Sequence, residues 1–323
     1  VPSEVENMFS ARESAWHGLG VITDDALTSS EAIIKAGLDW NVALKPLIAY
    51  DGVSSYNSGT LRNMIEVPDN YATVRDLDSS VLGVVGRRYT PIQNLDCFDF
   101  MDTIVDDSGA KYETAGSLYN GRVVWLLLNL NKEVGVDDDI TKNYLLLTNS
   151  HDGSSSLKGL TTPIRVVCAN TLRLAIDGKT NGFSFRHTSN LGGKVAQARS
   201  TLASALTYVD EFQVEMERLL DEEVNDERFE DIMSKVMPIP EPTLDNIKAV
   251  TRITNNRDTI KNLFYKPEFP THTNTAWAFI NATSNFEQWV SSIRGKSSRT
   301  EKIAQKTIAG TESPITQKVY SLL

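Results

Sequence analysis

The spacing of hydrophobic positions changes several times along the chain, and each change predicts an element. Thr28-Ser29-Ser30-Glu31 has the capping-box spacing, and Ala32, Ile33 and Ala36 follow before Gly37, which predicts one short helix stopped by a glycine. Trp40, Val42, Leu44, Pro46, Ile48 and Tyr50 then recur at period two, the signature of a strand. Pro46 has no N–H to give to a ladder, so that strand is expected at an edge, with Asp51-Gly52 as its turn. Residues 64–75 and 81–89 read as two more strands around the polar corner 76–80. Asn94 is positioned to cap a helix whose Cys97, Phe98, Met101, Ile104 and Val105 share one face before Gly109.

Asn120-Gly121 between the apolar runs 112–118 and 122–130 predicts an antiparallel hairpin. Residues 123–128 are apolar without alternation, so this strand is expected to be covered on both faces, and 144–147 reads as another buried strand opening into a polar loop at 148–156. Thr162-Pro163 suits a helix start, with apolar positions from Ile164 to Ile176 at helical spacing up to Gly178. Its β-branched opening leaves a strand as the rival. On a helix, Arg165 and Arg173 would lie about 80° apart, at roughly 100° per residue, away from the apolar stripe. Residues 183–186 form a short strand pattern, 194–223 a long helix with an acidic continuation at 221–231, and Pro238, Pro240 and Pro242 a stiff linker. Helical patterns follow at 244–264, 275–290 and part of 300–308. The fold class expected is α+β: an antiparallel, hairpin-rich sheet packed with helices over residues 1–190, then a mostly helical region over 191–323.

A length of 323 residues suits this two-domain division. The longest apolar run is six residues, 123–128, against the roughly 20 that cross a bilayer, and no apolar stretch lies near residue 1. A membrane-spanning or secreted protein is therefore not expected. Cys97 and Cys168 are the only cysteines, too few for a disulfide framework, and are expected as buried thiols in a reducing cytoplasm. No phosphate-binding P-loop, dinucleotide glycine fingerprint, serine elbow, HExxH or CxxC occurs, which lowers the expectation of an enzyme or of any cofactor. His151-Asp152 is the one dipeptide suggestive of a metal phosphohydrolase, but only His17, His187 and His272 accompany it. Asp152-Gly153 as a chain-reversing turn is the better reading, with no metal site expected. Trp16-His17-Gly18-Leu19-Gly20 reads as an anchor and turn rather than a base-stacking platform.

Charge changes the picture more. The net charge is -10, yet residues 140–200 hold eight Lys and Arg against Asp152 and Asp177, a basic middle inside an acidic protein. Phosphate contacts need such cations, and single strands add stacking on exposed rings. The candidate nucleic-acid-binding residues are Lys158, Arg165, Arg173, Lys179 and Arg186, with Phe183 and Phe185 as stacking surfaces and Arg87-Arg88 at a strand end. The competing reading pairs these cations with the acidic segment 221–231. Arg294, Lys296, Arg299, Lys302 and Lys306 form a second basic cluster.

Five ordered motifs carry a resemblance: Glu13-Ser14-Ala15-Trp16-His17-Gly18-Leu19-Gly20, Tyr89-Thr90-Pro91-Ile92-Gln93-Asn94, Asn149-Ser150-His151-Asp152-Gly153, the stretch from Pro163 to Leu172, and Asn274-Thr275-Ala276-Trp277. Together they resemble the phage/plasmid-like protein family, domain of unknown function 932. The chain departs from it at Ala278 to Thr283, where the family often continues into a helix richer in His and acids. The resemblance implies a mobile-element origin and a bacterial host cytoplasm. A more distant likeness, in element order and charge, is to the Rad52-like single-strand annealing proteins, which set a hairpin-rich sheet against a helix and bind DNA along a basic groove in an oligomeric ring. The expectation is a non-enzymatic protein that binds and anneals single-stranded DNA as a homo-oligomer. Its rivals are a phage assembly or interaction protein and a nucleotide- or nucleic-acid-acting hydrolase using His151 and Asp152.

Overall fold

The computed structural model describes residues 5–11, 21–23, 27–50, 64–136, 139–165, 182–188, 195–265, 272–292 and 314–323. Ten strands form two sheets. The larger holds β1 (Val5–Ala11), β2 (Val21–Thr23), β6 (Lys111–Leu118), β7 (Val123–Val136), β8 (Asp139–Ser150), β9 (Leu157–Arg165) and β10 (Gly182–Phe185), in the order β10-β9-β8-β7-β6-β1-β2. All its pairings are antiparallel except β1 with β2. The smaller holds β3 (Val42–Tyr50), β4 (Met64–Arg75) and β5 (Val81–Gly86), antiparallel in chain order. The fold is thus the mixed α and β architecture expected, with a helical C-terminal part.

The hairpin at Asn120-Gly121 forms as its sequence directs: Tyr119, Asn120 and Gly121 all take positive φ, and Leu118 pairs with Val123. At the centre of the sheet three leucine pairs face each other across β7 and β8, Leu126 with Leu147, Leu127 with Leu146 and Leu128 with Leu145. All six are buried, at about 1.5–3 kcal/mol each for full burial. Neighbouring positions on one strand point to opposite faces, so β7 is covered on both, which accounts for its unbroken apolar run. Helices α1 (Ser29–Lys35), α2 (Asn94–Ser108) and α3 (Val195–Asp221) lie against the face bearing Phe9, Ala115, Leu126 and Leu147. The other face carries Met8, Leu118, Trp125, Leu127, Tyr144 and Leu146, with Trp289 packed against them.

Helix α1 has its capping box, the Glu31 carboxylate accepting from the Thr28 backbone N–H and the Thr28 hydroxyl from the Glu31 N–H. Pro46 sits on β3, an edge strand, at a register shift. Two expectations are corrected. The cap of α2 is Gln93, not Asn94; the Gln93 side chain instead bonds both backbone groups of Val42, and Asn94 is turned inward. The helix expected from Thr162 is a strand through Arg165, paired with β8 as far as Thr141; its β-branched residues lie beside an unpaired edge of β8, and sheet pairing wins over the Thr-Pro start signal. β10 pairs only with residues 157–160 of β9, so among the described residues Pro163 has a strand, β8, on one side alone. Residues 166–178, and the pattern at 300–308, lie outside the described residues.

Beyond α3 the chain forms α4 (Asp226–Val236), α5 (Ile247–Tyr265), α6 (Ala276–Asn285) running into a π-turn at Phe286–Val290, and α7 (Pro314–Tyr320). Asn225 caps α4 by accepting from the Arg228 N–H, an element that the run of acidic residues conceals in the sequence. Phe229 stacks on Phe264, and Phe279 packs against both at a tilt, while Trp277 meets Phe212 of α3 edge-on. Through that contact the C-terminal helices share one core with the large sheet. No helix among the described residues is long and apolar enough to cross a membrane.

Candidate functional site

Two of the sequence motifs, 89–94 and 149–153, meet at the joint between the sheets. Asn149 donates from Nδ2 to the Ile92 carbonyl at 3.0 Å, and the Tyr89 hydroxyl donates to the Ser150 carbonyl at 2.9 Å. Asn94, at the first turn of α2, donates from Nδ2 to the carbonyls of Leu38 and Trp40 at 3.0 and 3.3 Å. Its Oδ1 is left to accept, and it lies 2.9 Å from Nε2 of His151. A carbonyl-type oxygen cannot donate, so the proton of this imidazole belongs on Nε2 and Nδ1 carries the lone pair. Trp40 closes over the imidazole edge-on at 5.2 Å, with the Arg75 guanidinium above the indole and Asp78 holding that guanidinium at 2.6 Å.

His187, which follows β10, stacks on Tyr89 with ring centroids 4.8 Å apart, and the Thr90 N–H donates to the His187 carbonyl at 2.6 Å. His151 is fully buried and His187 nearly so. Among the described residues, Nδ1 of His151 and both ring nitrogens of His187 meet no hydrogen-bond partner. Burial pushes the His151 pKa down to about 3, His187 acting in the same direction and Asp152 against it. Burial lowers His187 too, opposed by the backbone of Thr90 and Ser155. It raises the Tyr89 phenol well above its ordinary value, with Asp152 and Cys97 adding to the effect. All three rings are neutral at neutral pH.

The Tyr89–His187 stack has a consequence at the surface. Arg87 and Arg88 precede Tyr89, Arg186 precedes His187, and all three are exposed; segments a hundred residues apart thus bring these chain positions to one corner. Lys158 pairs in register with Ser184, two residues from Arg186. The backbone of Arg122, an exposed residue, reaches the same joint, its carbonyl accepting the backbone N–H of His151 at 2.7 Å. Arg87 lies 3.6 Å from Asp69 in an exposed pair, which is worth little in water. Arg88, Arg122, Lys158 and Arg186 make no ion pair among the described residues. Asp152, half-buried, is the carboxylate nearest the cluster's rings.

The structure separates the two aromatics from the lysine they were expected to assist. Phe183 pairs with Gly159 and Phe185 with Leu157, on the helix-covered face, where both rings pack with Phe100. A Cβ at Gly159 would stand 1.9 Å from the Phe183 ring, so that ring lies directly on the backbone of β9. Lys158 falls on the opposite face, in a cross-strand row with Thr148 and Trp125. Phe185, being buried, offers no face to a base, and Phe183 is half-buried in the same cluster. Arg165 ends β9, while Arg173, Lys179 and the cluster Arg294, Lys296, Arg299, Lys302 and Lys306 lie outside the described residues, as does Trp16-His17-Gly18-Leu19-Gly20.

The acidic segment is occupied by its own neighbours. Glu222 pairs with Arg218 and Arg228, Glu230 with Arg257 and Lys261 at 2.6 and 2.8 Å, and Asp231 with Lys235 at 2.7 Å. It does not pair with the basic middle among the described residues. Asn94 is read from the sequence as a helix cap and motif residue, and His187 only as one of the few other histidines; Arg122 is not singled out. The one available signal for His187 as a site residue is that it adjoins Arg186, already chosen. Among the described residues no three His, Cys, Asp or Glu stand where they could share a metal ion, and His151 is fully buried against Asn94 and Trp40.

The chain matches the profile of the family described as Domain of unknown function (DUF932) over residues 81–309. That span contains Arg87, Arg88, Tyr89, Asn94, Arg122, His151, Lys158, Arg186 and His187, and leaves out Trp40 and Arg75. No curated protein and no solved structure matches the chain.

Proposed function

The chain belongs to the DUF932 family, and we propose that it is a non-enzymatic single-stranded-DNA-binding protein of a phage or plasmid, acting in strand annealing as a homo-oligomer. The observation that carries this reading is the Tyr89–His187 stack, which draws together the chain positions of Arg87, Arg88 and Arg186, with Lys158 on the strand paired to β10 and the Arg122 backbone bonded to His151, in a protein of net charge -10. Local concentration of cations against an opposing net charge favours a polyanion at that corner and disfavours it elsewhere. Tyr119, exposed at the hairpin turn beside Arg122, supplies a ring at the neighbouring position, in place of the buried Phe185. The Rad52-like likeness rests on the antiparallel sheet with α2 across one face.

The test is fluorescence anisotropy with a labelled single strand and a blunt duplex at several salt concentrations. The single strand binds more tightly, and log K falls with log salt by about 0.7 per phosphate contact. Arg88→Ala with Arg186→Ala makes that slope shallower by about 1.4, whereas Lys235→Ala leaves it unchanged. Absence of binding at low salt overturns the reading.

A second reading, self-assembly through protein contacts, is favoured by the outer end of the β3–β4 ribbon. β5 pairs only with residues 70–74 of β4, so among the described residues Ile48, Met64 and Ile65 stand exposed on two strands alone, an arrangement marginal in water. Light scattering on Ile48→Ser/Ile65→Ser distinguishes it: under this reading the oligomer dissociates while DNA affinity per chain is retained.

A further inference from the structure

We propose that the joint between the two sheets is an acid-sensitive latch, closed while His151 and His187 are neutral and opened when they take up protons. The geometry leaves no place for the added charge. Nε2 of His151 already gives its proton to Asn94 Oδ1, so a second proton must go to Nδ1, which faces no acceptor among the described residues. Neither ring nitrogen of His187 makes a hydrogen bond among the described residues; the ring lies against a phenol rather than a carboxylate, and only the backbone of Thr90 and Ser155 favours its charged form, against its burial.

The groups facing the pair compound the effect. From α2 come Asn94, neutral, and Cys97, whose thiol burial keeps protonated. From the segment before β3 comes Trp40, backed by the Arg75 guanidinium of β4, which Asp78 already holds. From the segment after β5 comes the neutral Tyr89, and from just before β7 the Arg122 carbonyl, while Arg87, Arg88 and Arg186, next along the chain, are exposed. Asp152 in the following loop is the one carboxylate that favours the charged imidazole, and it is the smallest of the influences on His151. Neither ring has a carboxylate within hydrogen-bond reach among the described residues.

The contacts that would break are those that tie the sheets together: His151 to Asn94, Tyr89 to His187, and Thr90 N–H to the His187 carbonyl. The leucine pairs of β7 and β8 do not touch a titrating group, so the large sheet holds while the joint parts. Both histidines bind protons less readily when closed than when open, so the latch is fully stable above the ordinary histidine value of about 6.5. It loses stability as pH falls below that value. The open fraction rises about tenfold per pH unit if one ring gains a proton and about 100-fold if both do.

The experiment is hydrogen exchange by mass spectrometry on the full chain at pH 7.5 and 5.0, corrected for intrinsic rates. Peptides covering 38–42, 86–94, 149–156 and 184–188 are expected to open at least tenfold more at pH 5.0, with 124–128 and 145–148 unchanged. His151→Gln with His187→Phe keeps a donor for Asn94 and a ring for Tyr89 but no titrating group, and its protection should not depend on pH. Unchanged joint peptides, core peptides opening together with the joint, or a double variant retaining the wild-type response would each overturn the proposal. Should the variant not fold, NMR titration of the wild-type histidines decides: His151 and His187 gaining protons together with joint opening supports the latch, and their titration with the joint still protected refutes it.

Discussion

Gly83 lies so close to Asp152 that a Cβ built on it would stand 2.5 Å from the Asp152 Cα and 3.0 Å from its carbonyl oxygen. The obstacle is backbone, which cannot swing aside as a side chain can. β5 and the 151–155 loop therefore approach as closely as two chains allow, and this contact sets the spacing of the two sheets. Gly86, three residues on, faces only the Asp69 carbonyl at 3.9 Å.

Gly83→Ala is accordingly expected to destabilise the protein by about 1–3 kcal/mol, as overpacking does. Gly86→Ala serves as the control, with little change. Urea unfolding of the two variants beside the wild type measures the difference, and equal effects would show that the close approach is not what matters.

Asn94→Ala removes the acceptor for His151 Nε2–H and the donor for two carbonyls in a buried site. Leaving such groups unsatisfied costs about 1–3 kcal/mol each, so a loss of about 2–4 kcal/mol is expected in the same assay. A surface Asn, such as Asn70, should lose well under 1 kcal/mol.

The carboxylate of Asp78 is held well below its ordinary range, first by the hydrogen bond from Arg75, then by Ser80. A depressed carboxyl contributes stability that is present above its unfolded value, about 3.9, and that disappears as pH falls through the folded value. Asp78→Asn should therefore flatten the acid limb of stability against pH below about 4 and leave its shape near neutrality unchanged. Thermal melts from pH 7 to pH 2 read this directly.

Glu287 clamps the last helix to the π-turn, accepting from the N–H groups of Ile315 and Thr316 at 3.0 Å and from the Thr316 hydroxyl at 2.8 Å. Its removal in Glu287→Ala should free α7, seen as faster proteolysis near residue 314 and a loss of about 1–3 kcal/mol. Glu287→Gln, able to keep part of the acceptance, should fall between.

Local signals were legible wherever a residue answers to its immediate neighbours. The Thr28 capping box, the Asn120-Gly121 turn and the two-sided burial of 123–128 are all of this kind. Two sequence signals misled for opposite reasons. Thr162-Pro163 has the grammar of a helix start, but β8 offered an unpaired edge that pattern alone does not reveal. Phe183 and Phe185 sit between cations in the sequence, yet period-two alternation sends them to one face and Lys158 to the other. The basic corner itself could not be read linearly, because it depends on Tyr89 meeting His187 across 97 intervening residues.

The position of β1 bears on the order in which the molecule can assemble. Strands β6 to β9 follow one another as hairpins and near neighbours in the chain, so they can zip together as soon as they leave the ribosome. β1 is made before β6, the strand that joins it to the rest of the large sheet, with Phe9 against Ala115 and Ser10 against Thr114, more than a hundred residues later. Until then Met8 and Phe9, both buried in the finished fold, have at most the short parallel strand β2 beside them, and for that interval the nascent chain carries an apolar ribbon without its sheet, of the kind that chaperones recognise.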